Sequence, residues 1–459
     1  MHVRTKVRWL GAGGTMVAAL GVVALGGCRE TPATAPGMVV PRVDTLTIIT
    51  PHNAKIREAF GTGFSEWREA QGHHPVNIDW IVRGTPQCVA YIDGLFRGAS
   101  EGRDLPSPDV MFGGGMADHE LLAARGYSKP LELEGVEGIP AEIHGLPTRG
   151  PNGDWWATGL SSFGFVYNQH DCAERGVAPP ASWADLGDPR FAGWIGVASP
   201  ESSGSNRQAL MFILEAGDWG KSWGNFIRVL ANARAIQESS SMVLDEVDRG
   251  LLLAAFAVNF DGLARSDASD GRVVYVNPPG ETTVTPDITS VLRSAKDAEL
   301  AEDFVRYCLS ETGQVVWGVR AEATGRSTDT LYHYPIDPAI YAKYAGKLAV
   351  KENPYEADFG LKIDPKESEE LAAALVPIMR AAAGDNHILL QQAWAAIVKS
   401  GMNEAALKLL TEPPMTREEA VLLGKAYQAA DAEHREGLAG DWVGKFRERY
   451  QQALEMAHP

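Results

Sequence analysis

The chain has 459 residues, 45% of them hydrophobic and 22% charged, with a formal net charge of −17. Such a composition supports folded cores, and the length allows two or three globular units. So acidic a balance repels polyphosphate and sets nucleic acid aside as a partner.

Arg4, Lys6 and Arg8 precede an apolar, Gly/Ala-rich run from Leu10 to Leu25. The run is short and rich in small residues, which reads as a secretory leader over 1–27 rather than a membrane span. Leu25-Gly26-Gly27-Cys28 resembles the bacterial lipoprotein box, which implies that Cys28 becomes the lipidated first residue of the mature chain. Removing the three leader charges takes −17 to −20. No later apolar run approaches the length of a membrane helix. The expected protein is therefore exported, faces the periplasm or cell exterior, and contacts the membrane through its lipid alone. Cys88, Cys172 and Cys308 show no metal or redox spacing and read as buried thiols, with a single disulfide among them left open.

Residues 28–44, rich in Pro, Thr and Ala, read as a linker. A β-loop-α unit then occurs three times. The strand at Leu46-Thr47-Ile48-Ile49 leads to a helix with Ile56, Phe60, Phe64 and Trp67 on one face. Alternating Val76, Ile78, Trp80 and Val82 lead to a helix through Val89, Ile92 and Phe96. Pro108 to Phe112 leads through Gly113-Gly114-Gly115 to a third helix. This predicts an α/β fold with a parallel sheet covered by helices.

Trp156 to Asn168 reads as one long extended crossing between lobes. The second unit holds a strand at Trp194 to Val197, a helix opened by Ser202-Ser203-Gly204-Ser205, a helix near 219–231 and a strand from Leu253 to Val258. Val273 to Val276 reads as a return crossing, and 295–318 as a helix pair. The predicted organisation is lobe 1 over 45–157, lobe 2 over 158–276, a return to lobe 1 over 277–350, and a helical C-terminal extension over 366–459. The extension is rich in Ala, Leu and Glu, reads as three or four helices broken at Pro413-Pro414, and is expected to be an appendage outside the cleft. Truncation near Pro365 is then expected to leave a folded core.

Four segments carry a family resemblance. They are Trp183-x-Asp-Leu-x-Asp-Pro-x-Phe-x-Gly193; Val197-Ala198-Ser199-Pro200 with Ser203-Gly204-Ser205; Tyr167-Asn168; and Ala301-x-x-Phe304-Val-x-Tyr-x-Leu-Ser-Glu-Thr-Gly313-Gln314. Together they resemble the type II extracellular solute-binding proteins of ABC importers, in the group that includes ferric-ion-binding periplasmic proteins. Trp194 stands where that group usually has Lys, and Thr312 where it has Glu. The resemblance covers about 45–345. It implies a two-lobed type II periplasmic binding protein with a hinge, to which the helical extension is added. It also implies a receptor rather than an enzyme, without a cofactor, that presents a small anionic or chelated-metal, iron(III)-transport-like solute to an ABC permease.

In that fold the pocket lies between the lobes, at loops after strands and at helix N-termini, where unpaired N–H groups favour anions. By position the candidate ligand-binding residues are His52, Asn53, Thr85, Gly114, Ser162, Ser203, Gly204, Ser205, Ser241, Asn259 and Asp261. Hydroxyls and exposed amides suit a small anionic or polyhydroxylated solute, although each serine alone also fits a helix cap. The tyrosine pair of the ferric group falls on Phe260 and Asp261, and its acidic ligand near Gly114, leaving His52 and Asp261 as metal candidates. Fe(III) favours anionic oxygen donors, so a bare ferric ion is not expected and no metal is assigned. No H-E-x-x-H helix or phosphate loop with its lysine is present. The alternative reading is a ligand-sensing or structural lipoprotein that docks a partner without transport.

Overall fold

A computed structural model describes residues 42–98, 106–430 and 432–458; Cys28 and the leader lie outside the described residues. The three predicted repeats form β1 (Asp44–Thr50), α1 (Ala54–Ala70), β2 (Val76–Val82), α2 (Thr85–Gly98), β3 (Val110–Phe112) and α3 (Met116–Ala124). β1 runs parallel between β2 and β3, with Ile48 opposite both Trp80 and Val110. A small hairpin of β4 (Glu142–Ile143) and β5 (Leu146–Pro147) precedes β6 (Trp156–Asn168).

Lobe 2 contains α4 (Gln169–Glu174), α5 (Trp183–Leu186), β7 (Ile195–Ala198), α6 (Gly204–Glu215) and α7 (Trp219–Asn232). It continues with β8 (Ala233–Gln237), α8 (Ser240–Asp248), β9 (Ala254–Val258), α9 (Asn259–Ala268) and β10 (Val273–Val276). The chain returns to lobe 1 with β11 (Val284–Val291), α10 (Ala298–Leu309), α11 (Glu311–Gly318), α12 (Ala321–Thr324) and α13 (Pro338–Lys343).

The strands join in the order β2-β1-β3-β11-β6-β9-β7-β8, with β10 also on β6. β6 serves both lobes. Trp156 to Ser162 pair with β11, and Phe163 to Tyr167 pair with β9. The strand therefore changes partners between Ser162 and Phe163. Its residues are almost all buried because both faces are covered, and this is why the stretch reads as apolar and small rather than alternating. An aromatic cluster of Phe60, Phe64, Phe112, Phe304, Tyr307 and Trp317 fills lobe 1. β8 and β11 have no counterpart among the predicted elements. Their sequences, Ala-Arg-Ala-Ile-Gln and Val-Thr-Pro-Asp-Ile-Thr-Ser-Val, lack a simple apolar period, and tertiary pairing makes them strands.

Among the described residues the tail holds five α-helices, not three or four: α14 (Pro365–Met379), α15 (His387–Lys399), α16 (Glu404–Thr411), α17 (Arg417–Ala429) and α18 (Ala432–Ala457). A π-helical turn at Arg380–Gly384 follows Pro377 and separates α14 from α15. α17 restarts at a capping box of Thr416 and Glu419. The expectation of a separable appendage is corrected. Leu375, Trp394, Leu410, Phe446 and Tyr450 share one continuous core with Phe212, Trp223 and Leu230 of lobe 2. Trp394 Nε1 donates to Asn232 Oδ1 at 2.8 Å, and Trp219 Nε1 donates to the Met415 carbonyl at 2.8 Å. Cutting near Pro365 would uncover this core. Cys88, Cys172 and Cys308 are buried free thiols. No helix of the described residues is long and apolar enough to cross a membrane.

Candidate functional site

A cleft of about 540 Å³ lies between the lobes. Its lobe 1 wall comes from the loops after β1, β2 and β3 and the first turns of α1 and α2, which bring His52, Asn53, Arg57, Arg83, Gly84, Thr85 and Gly114. Lobe 2 supplies Ser203 to Ser205 and Arg207 from the start of α6, Ser239 to Ser241 from the start of α8, and Phe260 and Asp261 from α9. Parallel strands feeding helices put the helix N-termini at one edge of each sheet, so their unpartnered first N–H groups face the cleft.

The walls touch. Arg207 donates to Asp118 of α3 at 2.5 Å, and Asn53 Nδ2 donates to Asp261 Oδ1 at 2.8 Å. Asn53 also caps α1, its Oδ1 accepting from the Ile56 amide at 3.1 Å. The approach is closest at Gly84, where a Cβ would lie 1.8 Å from the Ser202 carbonyl oxygen of the opposite lobe.

At the floor, Asp287 of β11 sits between two imidazoles. His52 Nε2 donates to its Oδ2 at 3.1 Å and His333 Nε2 at 3.0 Å, while the Gly114 amide donates to Oδ1 at 2.9 Å. Burial alone would raise the Asp287 carboxyl, but His52 and His333 outweigh it and hold it well below the usual carboxylate range. His333 is fully buried, its ring stacked on Phe260 at a centroid distance of 4.9 Å and tilted against Trp317 at 4.1 Å. His52 Nδ1 is buried without a hydrogen-bond partner. Gly113 and Gly114 hold φ of 91° and 117°, and a Cβ on Gly113 would lie 2.4 Å from His52 Cε1, so this turn needs glycine. His119 braces it, with Nε2 3.2 Å from the Gly113 carbonyl and Nδ1 2.6 Å from Ser290 Oγ. Burial lowers the His119 pKa to about 4, so the ring is neutral at pH 7.

Of the candidates read from the sequence, His52, Asn53, Thr85, Gly114, Ser203, Gly204, Ser205, Ser241 and Asp261 line this cleft. Ser162 and Asn259 do not, and both lie in hydrogen bonds within the protein. The Ser162 amide donates to Asn259 Oδ1 at 3.1 Å, its hydroxyl donates to Asn277 Oδ1 at 2.9 Å, and Asn259 Nδ2 donates to the Tyr332 carbonyl at 3.3 Å. Their short polar side chains are used up tying β6 to its neighbours. Asp287, His333, Arg57 and Arg207 were not foreseen. Asp287 lies on the unforeseen strand, and an isolated histidine in Tyr332-His333-Tyr334 carries no spacing signal. A ferric cage of phenolates is not formed here, because Phe260 packs on His333 and Asp261 accepts from Asn53.

Residues 106–320 match a family model described as bacterial extracellular solute-binding protein. The phosphoglycerate transport regulatory protein PgtC of Salmonella typhimurium is 28% identical over 179 residues, 39% of this chain and 44% of that protein. The match thus spans less than half of that relative's length. Among solved structures, the periplasmic binding protein AfuA from Actinobacillus pleuropneumoniae, with exogenous fructose-6-phosphate bound, superposes with a TM-score of 0.57 and 19% identity. That match covers 78% of this chain and 99% of AfuA. Iron-bound HitA from Pseudomonas aeruginosa superposes with a TM-score of 0.54 and 20% identity, over 72% of this chain and 98% of HitA. The fold of this chain is thus similar to that of these two binding proteins. Residues 106–320 carry the likeness to the bacterial extracellular solute-binding proteins, and the fold of the chain is that of a type II periplasmic binding protein.

Proposed function

We propose that the protein is an exported, lipid-anchored receptor that captures a small anionic, hydroxylated solute and hands it to an ABC permease. One observation carries this reading: the start of α6, with Ser203, Gly204 and Ser205, opens into the same cleft as the Arg57 and Arg83 guanidiniums. Helix N–H groups and guanidiniums favour phosphate or carboxylate oxygens. Asp261, Glu238 and the serines at the start of α8 supply acceptors for hydroxyl groups at the other wall. The name of the Salmonella relative refers to phosphoglycerate, a solute of this chemical class. A chelated metal enters the same reading as the complex of such an anion. A bare ferric ion does not, since no phenolate reaches the cleft among the described residues.

Calorimetric titration with 3-phosphoglycerate, fructose-6-phosphate, inorganic phosphate and neutral fructose tests the reading. Phosphorylated compounds should bind at least about tenfold tighter than fructose. Equal or stronger binding of neutral sugar would overturn it. The word "regulatory" in the name of the Salmonella relative supports a second reading, a ligand sensor. Pull-down of the loaded protein with the neighbouring permease or with a sensor kinase separates the two.

A further inference from the structure

We propose that His52, Asp287 and His333 form a binding site for a divalent transition-metal ion at the floor of the cleft. They come from three distant stretches of chain: the turn after β1, the middle of β11, and the segment before α13. Their ligand atoms all lie within 4.8 Å of one another and all three residues are buried. The two nitrogen-to-oxygen separations, 3.1 and 3.0 Å, suit adjacent corners of a coordination polyhedron. With metal–ligand bonds of about 2.1 Å, such corners lie about 2.9 to 3.4 Å apart. An ion can therefore replace the two hydrogen bonds without parting Asp287 from either ring. Each imidazole then ligates as the neutral form, its proton moved from Nε2 to Nδ1.

Supporting contacts are already in place. The Gly114 amide holds the second Asp287 oxygen, the Tyr334 carbonyl lies 3.4 Å from His333 Nδ1, and Phe260 and Trp317 clamp the His333 ring. Two imidazoles and one carboxylate suit zinc or ferrous iron, whereas calcium and magnesium prefer all-oxygen sets. His52 and Asp287 line the cleft, so the open coordination position faces it, where an oxygen of a bound anion can complete the shell.

Zinc chloride titrated calorimetrically into chelator-treated full-length protein should bind one ion per chain, with no organic anion present. His52→Gln and His333→Gln should each weaken binding by about a hundredfold. Circular dichroism of each variant checks that it is folded. His170→Ala serves as the control, because His170, Asp171 and Glu174 form a second, more exposed group of possible ligands. Absence of zinc binding to the parent protein would overturn the proposal. So would binding that survives in both glutamine variants or is lost in His170→Ala. Phosphate titration of the metal-free protein reads the anion site separately, so the two proposals fail independently.

Discussion

Ser203 and Ser205 lie two residues apart and do different work. Ser203 is the N-cap of α6, its hydroxyl accepting from the Asn206 amide at 3.3 Å, and it also meets Ser205 Oγ at 3.2 Å. Ser205 caps nothing and lines the cleft. Ser203→Ala should therefore cost about 1 kcal/mol of stability. Ser205→Ala should leave the melting temperature in place and weaken anion binding about tenfold, the cost of one hydrogen bond to a charged group. Thermal melts and calorimetry on the two variants separate these roles. A lower melting temperature with unchanged affinity in both would leave only capping. The serine cluster was legible in the sequence because hydroxyls after a strand mark a helix start. The Asp287 pair of imidazoles was not, because its three members are brought together only by the sheet.

At the scale of elements, the junction of α6 with α14 carries a testable charge. Glu215 ends α6 and is almost completely buried; Ser368 of α14 hydrogen-bonds it, but its Oε2 has no partner. Burial raises its pKa from 4.5 to about 7, with Glu367 adding to the rise and Arg417 opposing it. Between those values the native chain holds a proton that the unfolded chain has released. The Glu215 contribution to stability therefore falls as pH climbs from 4.5 to 7 and levels off above that. The loss at pH 8 amounts to about 3 kcal/mol. Glu215→Gln removes the titration, so it should be more stable than the parent at pH 8 and nearly equal to it at pH 4.5. Urea unfolding at both values checks this, and a variant no more stable at pH 8 would contradict it. The tail was legible as helices from its Ala and Leu content and its caps. That it completes the core of lobe 2 was not, because an apolar helix face does not name the surface it covers.

Across the whole molecule, the two lobes meet backbone to backbone. Gly84 and Ser202 belong to different lobes, and a Cβ on Gly84 would overlap the Ser202 carbonyl. Gly84→Ala should hold the lobes apart without unfolding either, weakening solute binding while the melting temperature of the unliganded protein stays within about 2 °C. Small-angle scattering should show the variant expanded in the presence of solute, and unchanged affinity with a compact profile would refute the argument. The sequence by itself determined the parallel α/β units, the long crossing strand and the hydroxyl-lined helix starts, since period, caps and glycine turns are local properties of a chain. Only the tertiary structure decided which polar groups share the cleft, which serine and asparagine are consumed in holding β6, and where the tail packs. Those depend on distances between residues far apart in sequence, and apolar faces and imidazoles acquire a partner only when the sheet brings one within reach.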